Sequence, residues 1–305
     1  MRRYGLLAID LDGTLYQPDG TIHAEDRAAV VGAVEAGLRV VVCTGRSRSE
    51  AMHAVEVLGL DGPMVTAGGA ITVCAGTGRT LDRALISADR ADRLVREIHG
   101  SGEAALLLKD RSAVGYDYLV VDGSSGRGGD GWRLDPVFDW WFASQGLTVR
   151  RVGSVSEDAD HGHTVRVGAG GLRSKIERLH GVFSGRFGGE CDSHHFPAVS
   201  HAARDALLPS GEVLHVLEAF AKDANKWSAV KRVAAGWGID PGRIVAIGDQ
   251  VNDVSMIGGA ESSGGLGVAM GNAVRGVREV AGRVTGSNVE RGVSSAIARV
   301  LAGEW

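Results

Sequence analysis

Three short, almost wholly apolar runs, each stopping at a carboxylate or a hydroxyl, limit the folds open to this chain more than any other feature. Leu6-Leu7-Ala8-Ile9 stops at Asp10, Leu38-Arg39-Val40-Val41-Val42-Cys43 stops at Thr44, and Ile244-Val245-Ala246-Ile247 stops at Gly248-Asp249. Such runs are too short for helices and lack the alternation of a half-exposed strand, so they read as strands buried on both faces of a parallel sheet. Ligands of open parallel α/β sheets bind beyond the carboxyl ends of the strands, and three polar tips therefore predict one shared crevice.

The first tip is the most informative. Asp10 and Asp12 stand at i and i+2, so in an extended segment both carboxylates point the same way. Two acids that close repel each other and any anionic substrate unless a hard cation such as Mg²⁺ joins them, and the pair then becomes a site for phosphate. The competing reading is an ordinary Asp-Gly turn. At the second tip, Thr44-Gly45-Arg46 precedes a helical pattern from about Ser49; it offers a hydroxyl and free N–H groups, or simply a helix cap. The third tip adds Asp249, Asn252 and Asp253. Lys226, in Asn225-Lys226-Trp227, brings a positive charge, unless it is one more solvated lysine beside Lys222 and Lys231.

In this order the four segments resemble the motifs of the haloacid dehalogenase superfamily. Asp10-Leu11-Asp12-Gly13-Thr14 is similar to its first motif, Thr44-Gly45-Arg46 to its second, Lys226 to its third, and Gly248-Asp249 with Asn252-Asp253 to its fourth. The fourth motif and Gly267-Val268-Ala269-Met270-Gly271-Asn272-Ala273 resemble the Cof-type phosphatase branch, which carries an α/β cap between the second and third motifs. The resemblance implies that Asp10 attacks phosphorus and that Asp12 is the general acid and base. It implies that Lys226 offsets charge, and that Thr44, Gly45 and Asn252 hold the phosphoryl oxygens. Mg²⁺ would be bound by Asp10, the backbone carbonyl of Asp12 and Asp249, with Asp253 behind them orienting water or Lys226. Arg46 would contact substrate or form a surface ion pair. Two positions depart from the pattern: Gly68, in Thr66-Ala67-Gly68-Gly69-Ala70, replaces an amide, and Trp227 stands where a small residue usually follows the lysine.

Composition narrows the function classes. At 305 residues and 44% hydrophobic content the chain is long enough for two domains. A net charge of −4 gives no overall basic field, so nucleic acid is not expected as a partner. No apolar run has the length of a membrane span, and Met1-Arg2-Arg3 leads into a short run broken by Asp10, so a cytoplasmic location is expected. Cys43, Cys74 and Cys191 show no paired spacing, and Cys43 reads as a small core residue. Gly76-Thr77-Gly78 lacks the third glycine of a dinucleotide loop, and no Gly-Lys pair suggests a P-loop.

The stretch between the second and third motifs reads as a separate α/β unit. Helices are predicted over Ala88 to His99, Val137 to Ser144 and Leu172 to His180. Strands are predicted at Ala104 to Leu108, Tyr118 to Val121, Thr164 to Val167 and Val213 to Leu217. Asp122 to Gly131 reads as a glycine-rich loop, and Trp140-Trp141-Phe142 as helix packing. His161, His163, His194, His195 and His201 match no familiar zinc spacing and read as solvated or substrate-facing. The expected organisation is a doubly wound, Rossmann-like α/β core over 1–82 and 219–305, with an α/β cap selecting substrate over 83–218. The expected function is Mg²⁺-dependent hydrolysis of a small phosphorylated metabolite, a sugar phosphate or a cofactor-related phosphate. The alternatives are a phosphomutase of the same chemistry and a non-catalytic phosphometabolite-binding protein.

Overall fold

The structure is a computed structural model that describes residues 3–123, 131–132, 134–198 and 214–305. The chain divides into two compact units, Met1–Asp82 with Asn225–Trp305, and Arg83–Ala224.

In the first unit the chain runs β1 (Leu6–Ile9), α1 (Ala24–Glu35), β2 (Arg39–Val42), α2 (Arg48–Leu58), β3 (Pro63–Thr66), β4 (Ile71–Cys74) and β5 (Thr80–Arg83). The inserted unit follows with α3 (Ala88–Gly100), β6 (Ala105–Lys109), α4 (Arg111–Val114), β7 (Tyr118–Val121), α5 (Pro136–Ser144), β8 (Val149–Val152), β9 (Thr164–Leu172), α6 (Arg173–Phe187), β10 (Cys191–Pro197) and β11 (Leu214–Ala221). The chain then re-enters the first unit as α7 (Lys226–Gly236), β12 (Ile244–Gly248), α8 (Val254–Ser262), β13 (Leu266–Ala269), α9 (Arg275–Val280), β14 (Arg283–Val284) and α10 (Gly292–Ala302).

The three apolar runs form neighbouring strands of one all-parallel sheet, ordered β14-β13-β12-β1-β2. β1 and β12 are buried along their whole length, as unbroken apolar runs require. The chain winds from β1 outward to β2 on one side and returns through β12 on the other, so the order reverses at β1. A parallel sheet leaves its crevice at such a reversal. The α/β fold class is as expected.

The second unit is a six-stranded sheet ordered β10-β11-β9-β6-β7-β8, antiparallel except for the β7–β8 pair. α3 and α6 pack on it. The predicted elements recur, but β9, α6 and β11 run on further than expected, to Leu172, Phe187 and Ala221, and Leu172 closes β9 rather than opening the helix. β9 continues through Gly168-Ala169-Gly170-Gly171, where glycine-rich sequence gave no strand signal. Tertiary crowding explains the glycines: a Cβ on Gly168 would lie 2.6 Å from the Leu217 carbonyl oxygen, and one on Gly170 would lie inside the Phe138 ring. β10, of sequence Cys-Asp-Ser-His-His-Phe-Pro, was not foreseen and forms by pairing with β11. The return crossing also differs from the expected 218/219 boundary. Glu218 lies mid-strand, paired with Gly168 on one side and His194 on the other, so the sheet holds the chain until Ala221 and the unit ends at Ala224. His201, Val213 and most of the Asp122 to Gly131 stretch lie outside the described residues.

Candidate active site

The carboxyl ends of β1 and β12 put their polar residues side by side. Asp10 follows β1 with its N–H donating to the Ile247 carbonyl at 3.0 Å, and its carboxyl is buried. Beyond it the chain turns at Gly13 (φ +77°), where a Cβ would sit 2.3 Å from Asp249 Oδ2. Only glycine permits that backbone to press against Asp249. Thr14 Oγ1 donates to Asp249 Oδ1 at 2.9 Å, and Asn272 Nδ2 donates to the Gly13 carbonyl at 2.8 Å and to Asp249 Oδ2 at 3.3 Å. Thr14 and Asn272 lay inside motifs quoted above, but their hold on Asp249 depends on contacts 235 and 23 residues apart and had no local signal.

Lys226 is the first residue of α7 and is wholly buried, which removes the solvated-lysine alternative. Asn225 starts the helix with a reciprocal cap: its side chain accepts from the Ser228 N–H at 3.0 Å, and Ser228 Oγ accepts from the Asn225 N–H at 3.3 Å. A Cβ on Gly69 (φ +103°) would lie 2.2 Å from the Asn225 carbonyl carbon, so the loop after β3 packs directly on this cap. So anchored, Lys226 Nζ donates to Asp10 Oδ1 and to Asp253 Oδ1, each at 2.6 Å. Asp253 Oδ2 accepts from the N–H groups of Asp249 and Gln250, both at 3.0 Å. Asp253 is therefore bonded through both oxygens and ties the lysine to the β12 tip.

Asp10, Asp249 and Asp253 each present a carboxylate oxygen within 4.8 Å of the others, all buried. Three acids face one ammonium, and the charge imbalance shows in their proton affinities. Burial first, and then Asp253, push the Asp10 carboxyl well above the usual range, against the pull of Lys226. Burial and Asp253 raise Asp249 to about 7. Lys226 goes up despite its burial, because Asp10 and Asp253 hold its proton. Such a site takes up a proton or a hard cation; oxygen donors of this kind suit Mg²⁺.

Asp12 departs from expectation. Its carboxylate does not share the buried cluster with Asp10; it is about half exposed and accepts from Arg46 Nε at 2.8 Å and from Nη2 at 2.5 Å. The strand ends at Ile9 and the Asp12 carboxylate meets Arg46, yet its charge still acts on the carboxyls of Asp10 and Asp249. Arg46, over the Tyr16 ring at 5.2 Å, is thus tied to a site residue. Thr44 is buried, and its Oγ1 accepts from the Arg46 N–H at 3.0 Å. It does not cap the next helix; Ser47 and Glu50 do. Gly45 lies against Asn252, whose amide nitrogen would be 3.3 Å from a Cβ there. Asn252 Oδ1 is buried with no partner among the described residues, an arrangement that costs about 1–3 kcal/mol unless a ligand or water completes it. Cys43 is buried in the core, and burial pushes its thiol up.

The model of the haloacid dehalogenase-like hydrolase family matches residues 7–128 and 210–297, taking in all four segments that supply this cluster. The chain belongs to that family. A 5-amino-6-(5-phospho-D-ribitylamino)uracil phosphatase of Bacillus subtilis, YwtE, is 28% identical over 98% of this chain and 99% of its own. The pyridoxal phosphate phosphatase YbhA of Escherichia coli is 25% identical over 96% and 97%. A solved haloacid dehalogenase-like hydrolase from Bacteroides thetaiotaomicron superposes with a TM-score of 0.73 at 21% identity, covering 97% of this chain and 99% of that one. The haloacid dehalogenase-like chain is a phosphoric monoester hydrolase acting on a phosphorylated metabolite. Among its described residues no helix is long and apolar enough to cross a membrane.

Proposed function

We propose that this hydrolase is a Mg²⁺-dependent phosphatase of a small sugar phosphate or cofactor-related phosphate that works through an aspartyl-phosphate on Asp10. The observation that carries the reading is Lys226 bridging Asp10 and Asp253 at 2.6 Å each, with Asp249 in the same buried group.

In this reading an Asp10 oxygen attacks phosphorus as the bond to the leaving oxygen breaks, and Asp12 delivers the proton that the departing alkoxide needs. Water then attacks the acyl phosphate, its proton returns to Asp12, inorganic phosphate leaves, and the Asp10 carboxylate is restored. Lys226 holds the second half of the Asp10 carboxyl, keeps the attacking oxygen in place and offsets the incoming phosphoryl charge. Thr44, the Gly45 N–H and the Asn252 amide are assigned to the phosphoryl oxygens; the buried, unpartnered Asn252 Oδ1 supports a polar ligand there, since an amide can present either end. Arg46 holds Asp12 at the rim of the site until substrate arrives. Asp10, Asp249 and the Asp12 backbone carbonyl would hold Mg²⁺, and Asp253 would position the set. The raised carboxyls of Asp10 and Asp249 support this fit, because a divalent ion offsets both the burial and the like-charge repulsion that raise them. When bound, Mg²⁺ supplies positive charge to the phosphoryl oxygens in the transition state. These residues address the phosphoryl group common to every monoester, so selection of the leaving group is assigned to the inserted unit.

The test is phosphate release from a panel containing 5-amino-6-(5-phospho-D-ribitylamino)uracil, pyridoxal phosphate and common sugar phosphates, with Mg²⁺ and with chelator, for wild type and Asp10→Asn. Metal-dependent release that Asp10→Asn loses by at least about 10³-fold is expected. Isomerised substrate without free phosphate would establish a mutase instead. Unchanged turnover in Asp10→Asn would remove the nucleophile assignment.

A further inference from the structure

The second unit gathers three histidines that are far apart in the chain. His195 lies on β10, His215 on β11 and His180 on α6. The strand register pairs His195 with Leu217 and Pro197 with His215, so His195 and His215 are diagonal neighbours on one face of the hairpin. Their Nδ1 atoms are 3.3 Å apart. The His180 and His215 rings lie 5.0 and 5.5 Å from the His195 ring, centroid to centroid.

We propose that His195, His215 and His180 form a binding site for a Zn²⁺-class transition-metal ion within the second unit. Two nitrogens on a tetrahedral zinc at about 2.05 Å are separated by about 3.3 Å, the spacing this pair already has. His180 Nε2 lies 3.1 Å from the Ser193 carbonyl, which can only accept, so the neutral ring carries its proton there and keeps its lone pair on Nδ1. Metal-ligating histidines are commonly fixed by such a bond from the other nitrogen. As the rings stand, His195 and His215 are the preformed half of the site; the His180 ring, centred 5.0 Å from that of His195, has no nitrogen within 4.8 Å of both and joins them only by turning. Burial, and then the neighbouring imidazoles, disfavour the protonated form of His195 and His215. Two charges on α6 act on the pair: Glu177 favours a cation, and Arg173 opposes it but is drawn to Glu177 at 2.7 Å. His194, on the other face of β10, adds a weaker opposing influence on His195. An all-imidazole set selects Zn²⁺, Co²⁺, Ni²⁺ or Cu²⁺ over Mg²⁺, and so is chemically separate from the buried acid cluster. Bound metal would fasten the edge strand β10 and β11 to α6. None of this depends on the hydrolytic reading.

The experiment uses untagged full-length protein stripped of metal and kept in excess Mg²⁺. Zn²⁺ is titrated by calorimetry and Co²⁺ by visible absorption, with each variant's fold checked by circular dichroism. One Zn²⁺ per chain and an intense tetrahedral Co²⁺ spectrum are expected in wild type and in Asp249→Asn. Binding at least about tenfold weaker is expected in His195→Ala and His215→Ala. Protection of the three wild-type histidines from diethyl pyrocarbonate by Zn²⁺, mapped by peptide mass, tests the site without any variant. Equal Zn²⁺ affinity in folded His195→Ala and wild type, no Zn²⁺ binding by wild type, or no protection would each overturn the proposal.

Discussion

Replacing Asp249 by Asn should make the metal-free protein more stable while removing its activity. Asp249 is almost wholly buried beside Asp253, and its carboxyl is raised from 3.8 to about 7. The native state therefore binds this proton more tightly than the unfolded chain, which means that stability declines as pH rises from about 4 to about 7. Roughly three pH units at about 1.4 kcal/mol each set an upper bound of about 4 kcal/mol on the cost of the ionised group above pH 7. Asn keeps an acceptor for Thr14 but turns one oxygen facing Asn272 into a second donor, a loss of about 1 kcal/mol for a bond that is 3.3 Å long. Asp249→Asn should thus gain about 1–3 kcal/mol at pH 8 and nothing, or a slight loss, at pH 4.5. Urea unfolding in chelator at pH 4.5, 6 and 8 measures the difference, and added Mg²⁺ should stabilise wild type but not the variant. A variant no more stable than wild type at pH 8, or a difference that does not widen with pH, would refute the reasoning.

Lys226→Met should abolish turnover and, in chelator at pH 8, destabilise the fold by about 3–5 kcal/mol, because it strands two buried carboxylates; thermal melts should show part of the loss recovered at pH 5, because the raised Asp10 carboxyl takes up a proton more readily than an ordinary one. Asp12→Asn should lower kcat by about 10²–10⁴-fold with little effect on melting temperature, as expected for a half-exposed proton carrier. Arg46→Ala should change stability by less than about 1 kcal/mol, since its ion pair is open to solvent, and should lower kcat less than Asp12→Asn does.

The polar groups at the three strand tips were legible because each follows an apolar run, and a buried parallel strand exposes polar chemistry only at its tip. Asp10, Thr44 and Asp249 needed no more than that pattern. The partner of the Asp12 side chain was not legible: its carboxylate accepts from Arg46, 34 residues away, a pairing that only the fold makes. β10 escaped for a related reason, because its polar sequence becomes strand only through its pairing with β11, and the glycines of β9 read as loop until Leu217 and Phe138 are seen to need the space.

Local order alone thus determined the parallel sheet, the ordered motifs and the presence of an insert, since burial on both faces and helix starts leave their mark within a few residues. Tertiary structure decided which partners each group has. Lys226 meets Asp10 across 216 residues, His195 meets His215 across 20, and the insert ends past Ala221 rather than at Glu218. Those outcomes rest on contacts between distant segments, whose energies depend on what faces them after folding and not on their neighbours in the chain.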